Sequence, residues 1–140
     1  MTDDTQLDRP LDPERTKSPR RGMCAAVLTL EAITLGLSTP VMIAVADVDP
    51  AAALPVGLGL AVACVLVAGM LRRESGYRLG WALQAAAIGL GLVVTTMYAL
   101  GAIFAALWAT ADLLGRRIER ERAEAWAAYD AERARLTPGS

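Results

Sequence analysis

The chain has 140 residues, a hydrophobic fraction of 54%, a net charge of -1 and a mean hydropathy of +0.37. This composition is more apolar than that of usual soluble domains and indicates lipid as the surrounding solvent. Histidine is absent from the sequence, which removes the commonest metal ligand and the commonest catalytic base. We therefore expect no metal, no haem and no other cofactor.

Residues 1–22 mix acidic and basic side chains and include three prolines, at positions 10, 13 and 19. Such a segment cannot bury enough apolar surface to fold, so it predicts a disordered cytoplasmic tail. It is also too polar, and too long before the first apolar residue, for a cleaved signal peptide. The first apolar segment is therefore expected to stay in the protein.

The remaining apolar runs predict an all-α integral membrane protein, a bundle of four transmembrane helices. The first two runs each have the length needed to cross ~30 Å of hydrocarbon. From Leu79 to Leu114 the chain is apolar for 36 residues, and one helix of that length would span about 54 Å, more than a bilayer needs. A tight turn within residues 95–98 is expected to divide this run. The predicted spans cover residues 23–46, 51–71, 79–95 and 98–114.

The basic residues predict the orientation of these spans. All 14 Lys and Arg residues lie in the N-terminal tail, in the 72–78 loop or after Gly115. Four spans place these three segments on one side, and the positive-inside rule makes that side the cytoplasm. Three spans would put the C-terminal basic segment outside, against that rule. We therefore predict a multi-pass protein of the bacterial plasma membrane, the cell inner membrane, with both termini cytoplasmic.

Residues 115–136 are rich in helix formers and alternate charge signs, which predicts a water-exposed cytoplasmic helix, followed by a tail over 137–140. A narrow stripe of apolar and aromatic side chains, which includes Ile118, Trp126 and Tyr129, runs along this predicted helix. The stripe could rest on the inner membrane surface, pair with a second copy or bind a partner, and the simplest alternative is a solvated helix.

Helices in lipid associate through small residues that let backbones approach closely. Residues of this kind recur at four-residue spacing in three spans, and we expect them to form the packing faces. Amphipathic rings are enriched at membrane interfaces, so the rings near the inner ends of the spans are interpreted as interfacial anchors. The small residues are Gly57 with Ala61, Ala85 with Gly89, and Gly101 with Ala105 and Ala109; the rings are those of Tyr77, Trp81 and Trp108.

Glu31 is the main candidate for a functional intramembrane group. It lies ~12 Å from the start of the first span, near the bilayer centre, with no basic residue three or four positions away. An ionised carboxylate at that depth costs several kcal/mol, so it indicates either a functional site or a protonated group that forms an interhelical hydrogen bond. Gln84 lies ~8 Å into the third span, in the same half of the bilayer. A hydrogen bond between Glu31 and Gln84 is therefore expected to be within reach.

Asp112 is a third candidate polar residue of the membrane region. It lies within one turn of the cytoplasmic end of the fourth span, and Arg116 follows four residues later, so we interpret the two as an ordinary helix ion pair. No catalytic residue is expected, because the sequence has no phosphate-binding glycine loop with its lysine, no nucleophile elbow and no CxxC pair.

Several short patterns together resemble a known family. They are the spacing of Cys24 and Glu31 in the first span, Trp81 with Gln84 in the third, Phe104 with Trp108 in the fourth, and the sequence GRR at 115–117. With the apolar segments around them, they are similar to an actinobacterial membrane family, domain of unknown function 4233, over most of residues 20–120. The resemblance implies a membrane location and no established activity.

These observations favour a non-enzymatic structural, accessory or regulatory component of the membrane. The alternative is a small proton-coupled transporter or channel acting as an oligomer through Glu31, since four short spans with one acidic residue in the first are similar to small multidrug resistance transporters. Aromatic residues make up only 5% of the chain, however, and none cluster near Glu31 to bind a lipophilic cation. As partners we expect the lipid bilayer, a second copy of the chain or another membrane protein, and no nucleic acid.

Overall fold

The computed structural model describes residues 17–137, and over this part of the chain the secondary structure is helical, without strands. The all-helical prediction is thereby confirmed. The predicted tails lie outside the described residues over positions 1–16 and 138–140. The helical segments are α1 (Pro19–Val45), α2 (Pro50–Met70), α3 (Glu74–Gly89) and α4 (Thr96–Leu136).

Helix α1 begins at Pro19, four residues before the predicted start of the first span. The hydroxyl of Ser18 accepts a hydrogen bond from the backbone N–H of Arg21, and proline at the first helical position has no N–H to leave unpaired. The assignment of residues 19–22 to a disordered tail is therefore wrong. Their charges suggested a solvated segment, but Arg20 is buried against the other helices.

A short connection leads from α1 into α2, and α2 itself contains an irregular segment. Asp47 has a positive φ of 49°, a conformation that aspartate tolerates in turns, and the Asp49 carboxylate caps α2 by accepting from the backbone N–H of Ala51. Within α2 the segment Leu54–Leu58 is π-helical. It contains Pro55, which cannot donate to an α-helical ladder, so the hydrogen-bond register changes there.

The turn between α3 and α4 lies at residues 93–95, after a 3₁₀ turn at Leu90–Leu92. The predicted position, 95–98, is slightly too late, because α4 already begins at Thr96. A side chain at Gly91 would overlap the ring of Tyr98, so glycine allows the 3₁₀ turn and the start of α4 to approach this closely. The 115–136 segment is helical as predicted, and it continues α4 without a break.

The buried residues of α1 repeat every three and four positions. They are Arg20, Cys24, Leu28, Glu31, Leu35, Thr39 and Met42. The intervals follow the order 4, 4, 3, an 11-residue repeat of about 3.67 residues per turn, which is close to the 3.6 of a straight α-helix and keeps one face of α1 towards the core. Helix α1 packs against α2 and α4, and α3 packs against the same two helices. The core therefore runs along the axis of a four-helix bundle.

Successive helices are antiparallel. Arg20 at the start of α1 contacts Asp112 in α4, while Thr39 near the end of α1 lies against Gly57 in α2. The α3–α4 pair shows the same arrangement, since Gly80 faces Trp108 and Gly101 faces Ile88. The start of α1, the α2–α3 connection and the second half of α4 therefore share one end of the bundle.

The prediction about small residues is right for two of its three sets. Gly57 and Gly101 are buried at helix contacts, and a Cβ added to Gly101 would lie 2.9 Å from the backbone of Ile88. Ala85 and Gly89 are exposed instead. Spacing alone could not separate them, because small residues occur on every face of these helices. The closest approach in α3 is at Gly80, which the spacing did not indicate.

Within residues 17–137, three helices are long and apolar enough to cross a membrane: α1, α2 and α4. Helix α3 is not among them. The outward faces of the bundle are apolar, with exposed side chains such as Leu37, Val65 and Ile103. An apolar exterior around a packed core is the arrangement expected in lipid.

Candidate functional site

Two groups of polar side chains link the helices at different heights, and each contains buried members: Glu31 with Gln84 in the first, and Arg20 with Asp112 in the second. The central pair, Glu31 and Gln84, lies midway along α1 and α3. The end cluster, Arg20, Glu74, Asp112 and Arg116, lies where α1 and α3 begin. Buried polar groups are costly unless they are paired, so these two groups are the candidate sites.

In the central pair, Gln84 Nε2 donates to Glu31 Oε2 across 2.6 Å, and each residue is 1% exposed. The predicted hydrogen bond between these residues is therefore present. Glu31 Oε1 and the amide oxygen of Gln84 have no partner within the described part of the chain, and neither has Trp108 Nε1. Hydrogen bonding in the centre of the bundle is thus incomplete.

A small cavity of about 10 Å³ adjoins Glu31. Its other lining residues are mainly apolar and come from α1, α3 and α4: Leu35, Ala87, Met97, Leu100, Gly101 and Phe104. A volume of about 10–15 Å³, measured this way, holds one water. The space beside the carboxyl group is therefore limited to a single small molecule of about that size.

The end cluster is built around Asp112, which is 1% exposed. Arg20 donates to Asp112 Oδ1 from Nε at 2.7 Å, and its Nη2 lies 2.6 Å from the same oxygen. Asp112 Oδ2 accepts from Trp81 Nε1 at 3.4 Å and lies 3.0 Å from Arg116 Nη2. The pair with Arg116 exists as predicted, but the interpretation of Asp112 as an ordinary helix pair is incomplete. Its buried partner, Arg20, lies 92 residues away in the sequence.

Arg20 joins three helices at this end of the bundle. Its guanidinium also pairs with Glu74 at 3.3 Å and lies 3.6 Å from the centre of the Tyr77 ring, a cation–π contact. Gly115 allows α4 to approach Arg20, because a side chain there would overlap the arginine. Pairing an arginine near the start of one span with an acidic residue near the end of an antiparallel span could have identified this contact.

Two of the three predicted interfacial aromatics are core residues. Trp108 is 0% exposed, with its indole ring packed over Gly80, and Tyr77 is buried beneath Arg20. The missing side chain at Gly80 provides the space that the indole fills. Only Trp81, at 44% exposure, has a partly outward position that fits an anchoring role.

No group of three potential metal-ligating side chains occurs within residues 17–137. Cys24 and Cys64 are buried, and both are free thiols. The polar groups of the bundle are therefore arranged as hydrogen-bonded and ion-paired contacts between helices.

Three helices that are long and apolar enough to cross a membrane, together with the apolar exterior of the bundle, indicate a helical membrane protein. A family model described as "Protein of unknown function (DUF4233)" matches residues 21–124, and the chain belongs to that family. The matched region contains Glu31, Gln84 and Asp112, whereas Arg20 lies immediately before it. No curated protein and no solved structure matches the chain.

Proposed function

We propose that this protein is a non-enzymatic accessory or regulatory component of the bacterial cytoplasmic membrane, with four spans and both termini in the cytoplasm. In this proposal the bundle is a fixed scaffold, and the second half of α4 extends from it into the cytoplasm. Nearly all side chains of α4 beyond Glu119 are exposed, which supports a role in presenting this helix to a partner. The partner is another membrane component or a second copy of the chain.

The antiparallel packing of α3 supports the fourth span. With its 3₁₀ extension, α3 reaches from Glu74 to Leu92, about 28 Å at helical rise, which approaches the hydrocarbon thickness. It lies between two helices that are each long and apolar enough to cross a membrane. The basic residues of the α2–α3 connection then share a side with those of α1 and α4, as the positive-inside rule requires.

Reporter fusions test this topology. We expect a cytoplasm-active reporter to work when it is fused after Ser140 or inserted between Arg72 and Arg73, and a periplasm-active reporter to work between Asp47 and Val48. The reason is that all basic segments belong on the cytoplasmic side. Activity of the periplasmic reporter after Ser140 would contradict the four-span arrangement.

The observation that carries the non-transport role is the closed packing around Glu31. The carboxyl group is buried, bonded to Gln84 and next to a cavity that holds about one water. A substrate of ordinary size has no room there. We infer that Glu31 carries a proton: both unpartnered oxygens of the central pair are acceptors when Glu31 is ionised, and a proton converts one of them to a donor.

Two substitutions at Glu31 distinguish a structural from a proton-coupling role. Glu31→Gln keeps the shape and a donor, so stability and cellular phenotype are expected to survive, while Glu31→Leu is expected to cost about 1 kcal/mol of bundle stability, as for typical interhelical bonds. Stability is measured by unfolding in detergent. Leu28, one turn earlier in the same core and outside the lining of the cavity, provides the control, because Leu28→Met keeps both partners of the Glu31–Gln84 bond.

The transporter alternative makes the opposite prediction. If Glu31 couples protons to substrate movement, Glu31→Gln must abolish function in a protein that remains folded, because an amide cannot ionise. Proton release from purified wild-type protein on adding lipophilic cations, lost in Glu31→Gln, would overturn the structural role. Absence of such release across a broad panel of cations is the result we expect.

A further inference from the structure

An open groove of about 550 Å³ lies at the end of the bundle that holds the end cluster. It is formed by the start of α1, the α2–α3 connection and α4, and four arginines line it: Arg20, Arg21, Arg72 and Arg73. Because these come from two distant parts of the chain, the fold and not a basic run in the sequence brings them together. A groove of this size lies within the range of small-ligand sites.

The charge of the groove is not balanced by its own carboxylates. Arg20 is paired with Asp112 and Glu74, so its charge is already compensated. Within residues 17–137, Arg21, Arg72 and Arg73 form no ion pair and are exposed. The remaining carboxylate, Glu119, accepts a hydrogen bond from the Ser18 hydroxyl. Three arginines therefore face one carboxylate, and the groove carries excess positive charge.

We propose that this groove binds the phosphate group of an anionic membrane phospholipid. Guanidinium groups bind phosphate oxygens through paired, charge-assisted hydrogen bonds, and Arg21, Arg72 and Arg73 are free to form them. This inference rests on the proposed topology, which places the groove at the cytoplasmic face, where lipid phosphates lie. Basic pockets at that face select anionic headgroups.

The surface beside the groove suits the acyl chains of the same lipid. Leu71 lines the groove, and α2 continues from it with the outward side chains of Met70 and Leu66, the latter 62% exposed. Leu71 itself is only 2% exposed, so the exposed apolar surface beside the groove begins with its chain neighbour Met70, at 42% exposure. This adjacent apolar surface favours a phospholipid over a soluble phosphate ester as the occupant.

Lipid retention by the purified full-length protein tests the site. Native mass spectrometry in detergent, with phosphatidylglycerol or phosphatidylcholine added at equal concentration, is expected to show preferential retention of phosphatidylglycerol. The double variant Arg72→Gln/Arg73→Gln is expected to lower that retention by on the order of tenfold, since each removes a charge near the phosphate. The matched control, Arg120→Gln/Arg122→Gln, removes two exposed charges from α4 outside the groove and is expected to change retention by less than about twofold.

Three results would overturn the proposal. Equal losses in the two double variants would show that diffuse surface charge, and not the groove, holds the lipid. Equal retention of phosphatidylcholine would show no selection of anionic headgroups. Displacement of phosphatidylglycerol by inorganic phosphate at the same concentration would identify a soluble phosphate as the ligand. A detergent micelle has no cytoplasmic or periplasmic face, so these outcomes do not depend on the result of the reporter test of topology.

Discussion

Replacing Asp112 with alanine is expected to destabilise the bundle by about 3–5 kcal/mol. The carboxylate is the buried partner of Arg20, which it contacts at 2.6 and 2.7 Å. Removing it leaves a guanidinium among packed helices with only the exposed Glu74 for compensation. The measurement is the free energy of unfolding of the purified protein in detergent, followed by the loss of helical circular dichroism.

A second ion pair supplies the control for this substitution. Arg117 and Glu121 lie 2.8 Å apart on the exposed surface of α4, a distance close to that between Arg20 and Asp112. Glu121→Ala therefore removes the carboxylate of an ion pair that is exposed to water instead of buried. We expect no resolvable change, because exposed pairs contribute little. The double variant Arg20→Leu/Asp112→Leu is expected to be more stable than Asp112→Ala, since no buried charge then remains unpaired. A loss in Asp112→Ala no larger than that in Glu121→Ala would contradict the assignment of a buried ion pair.

Gly80→Ala is expected to cost about 3 kcal/mol, at the upper end of the range for overpacked cores. An added Cβ would overlap the indole ring of Trp108, which is fully buried and has no open side to move into. The α3–α4 contact must therefore open to accommodate a single methyl group. The midpoint of unfolding in detergent measures the loss.

Gly89 is the matched control because it lies in the same helix and an added Cβ would meet nothing within 4 Å. Alanine is the better helix former, so Gly89→Ala is expected to leave stability unchanged or raise it slightly. Trimming the indole with Trp108→Leu in the Gly80→Ala background is expected to recover part of the loss. Equal effects of alanine at positions 80 and 89 would show that the indole does not determine this packing.

Local patterns in the sequence were sufficient for the helices and for the central pair. Hydropathy locates apolar helices because each side chain contributes independently to transfer into lipid. The depth of Glu31 and Gln84 follows from counting residues, which placed the two at compatible heights. The positions of the helices and the depths of Glu31 and Gln84 can each be obtained by counting residues along a single helix.

The end cluster and the position of Trp108 depend on contacts between helices, which counting residues along one helix does not specify. Asp112 had a ready partner four residues away, and only the rotation of α1 against α4 shows that Arg20 is the buried one. Trp108 lies near the inner end of a span, which suggested that its ring is located at the membrane–water interface. The cleft that Gly80 opens in the neighbouring helix places the ring in the core instead.

Helix α4 has a mechanical consequence, because its 41 residues continue from Thr96 to Leu136 without a hinge. At helical rise it is about 62 Å long, and about 32 Å of that length follows Gly115. A tilt of about 10° in the apolar half would move the far tip by about 5–6 Å, because the displacement is the length beyond Gly115 multiplied by the sine of the tilt. If α4 tilts as one body, a small rearrangement around Arg20 and Asp112 therefore becomes an ångström-scale movement at its distal end.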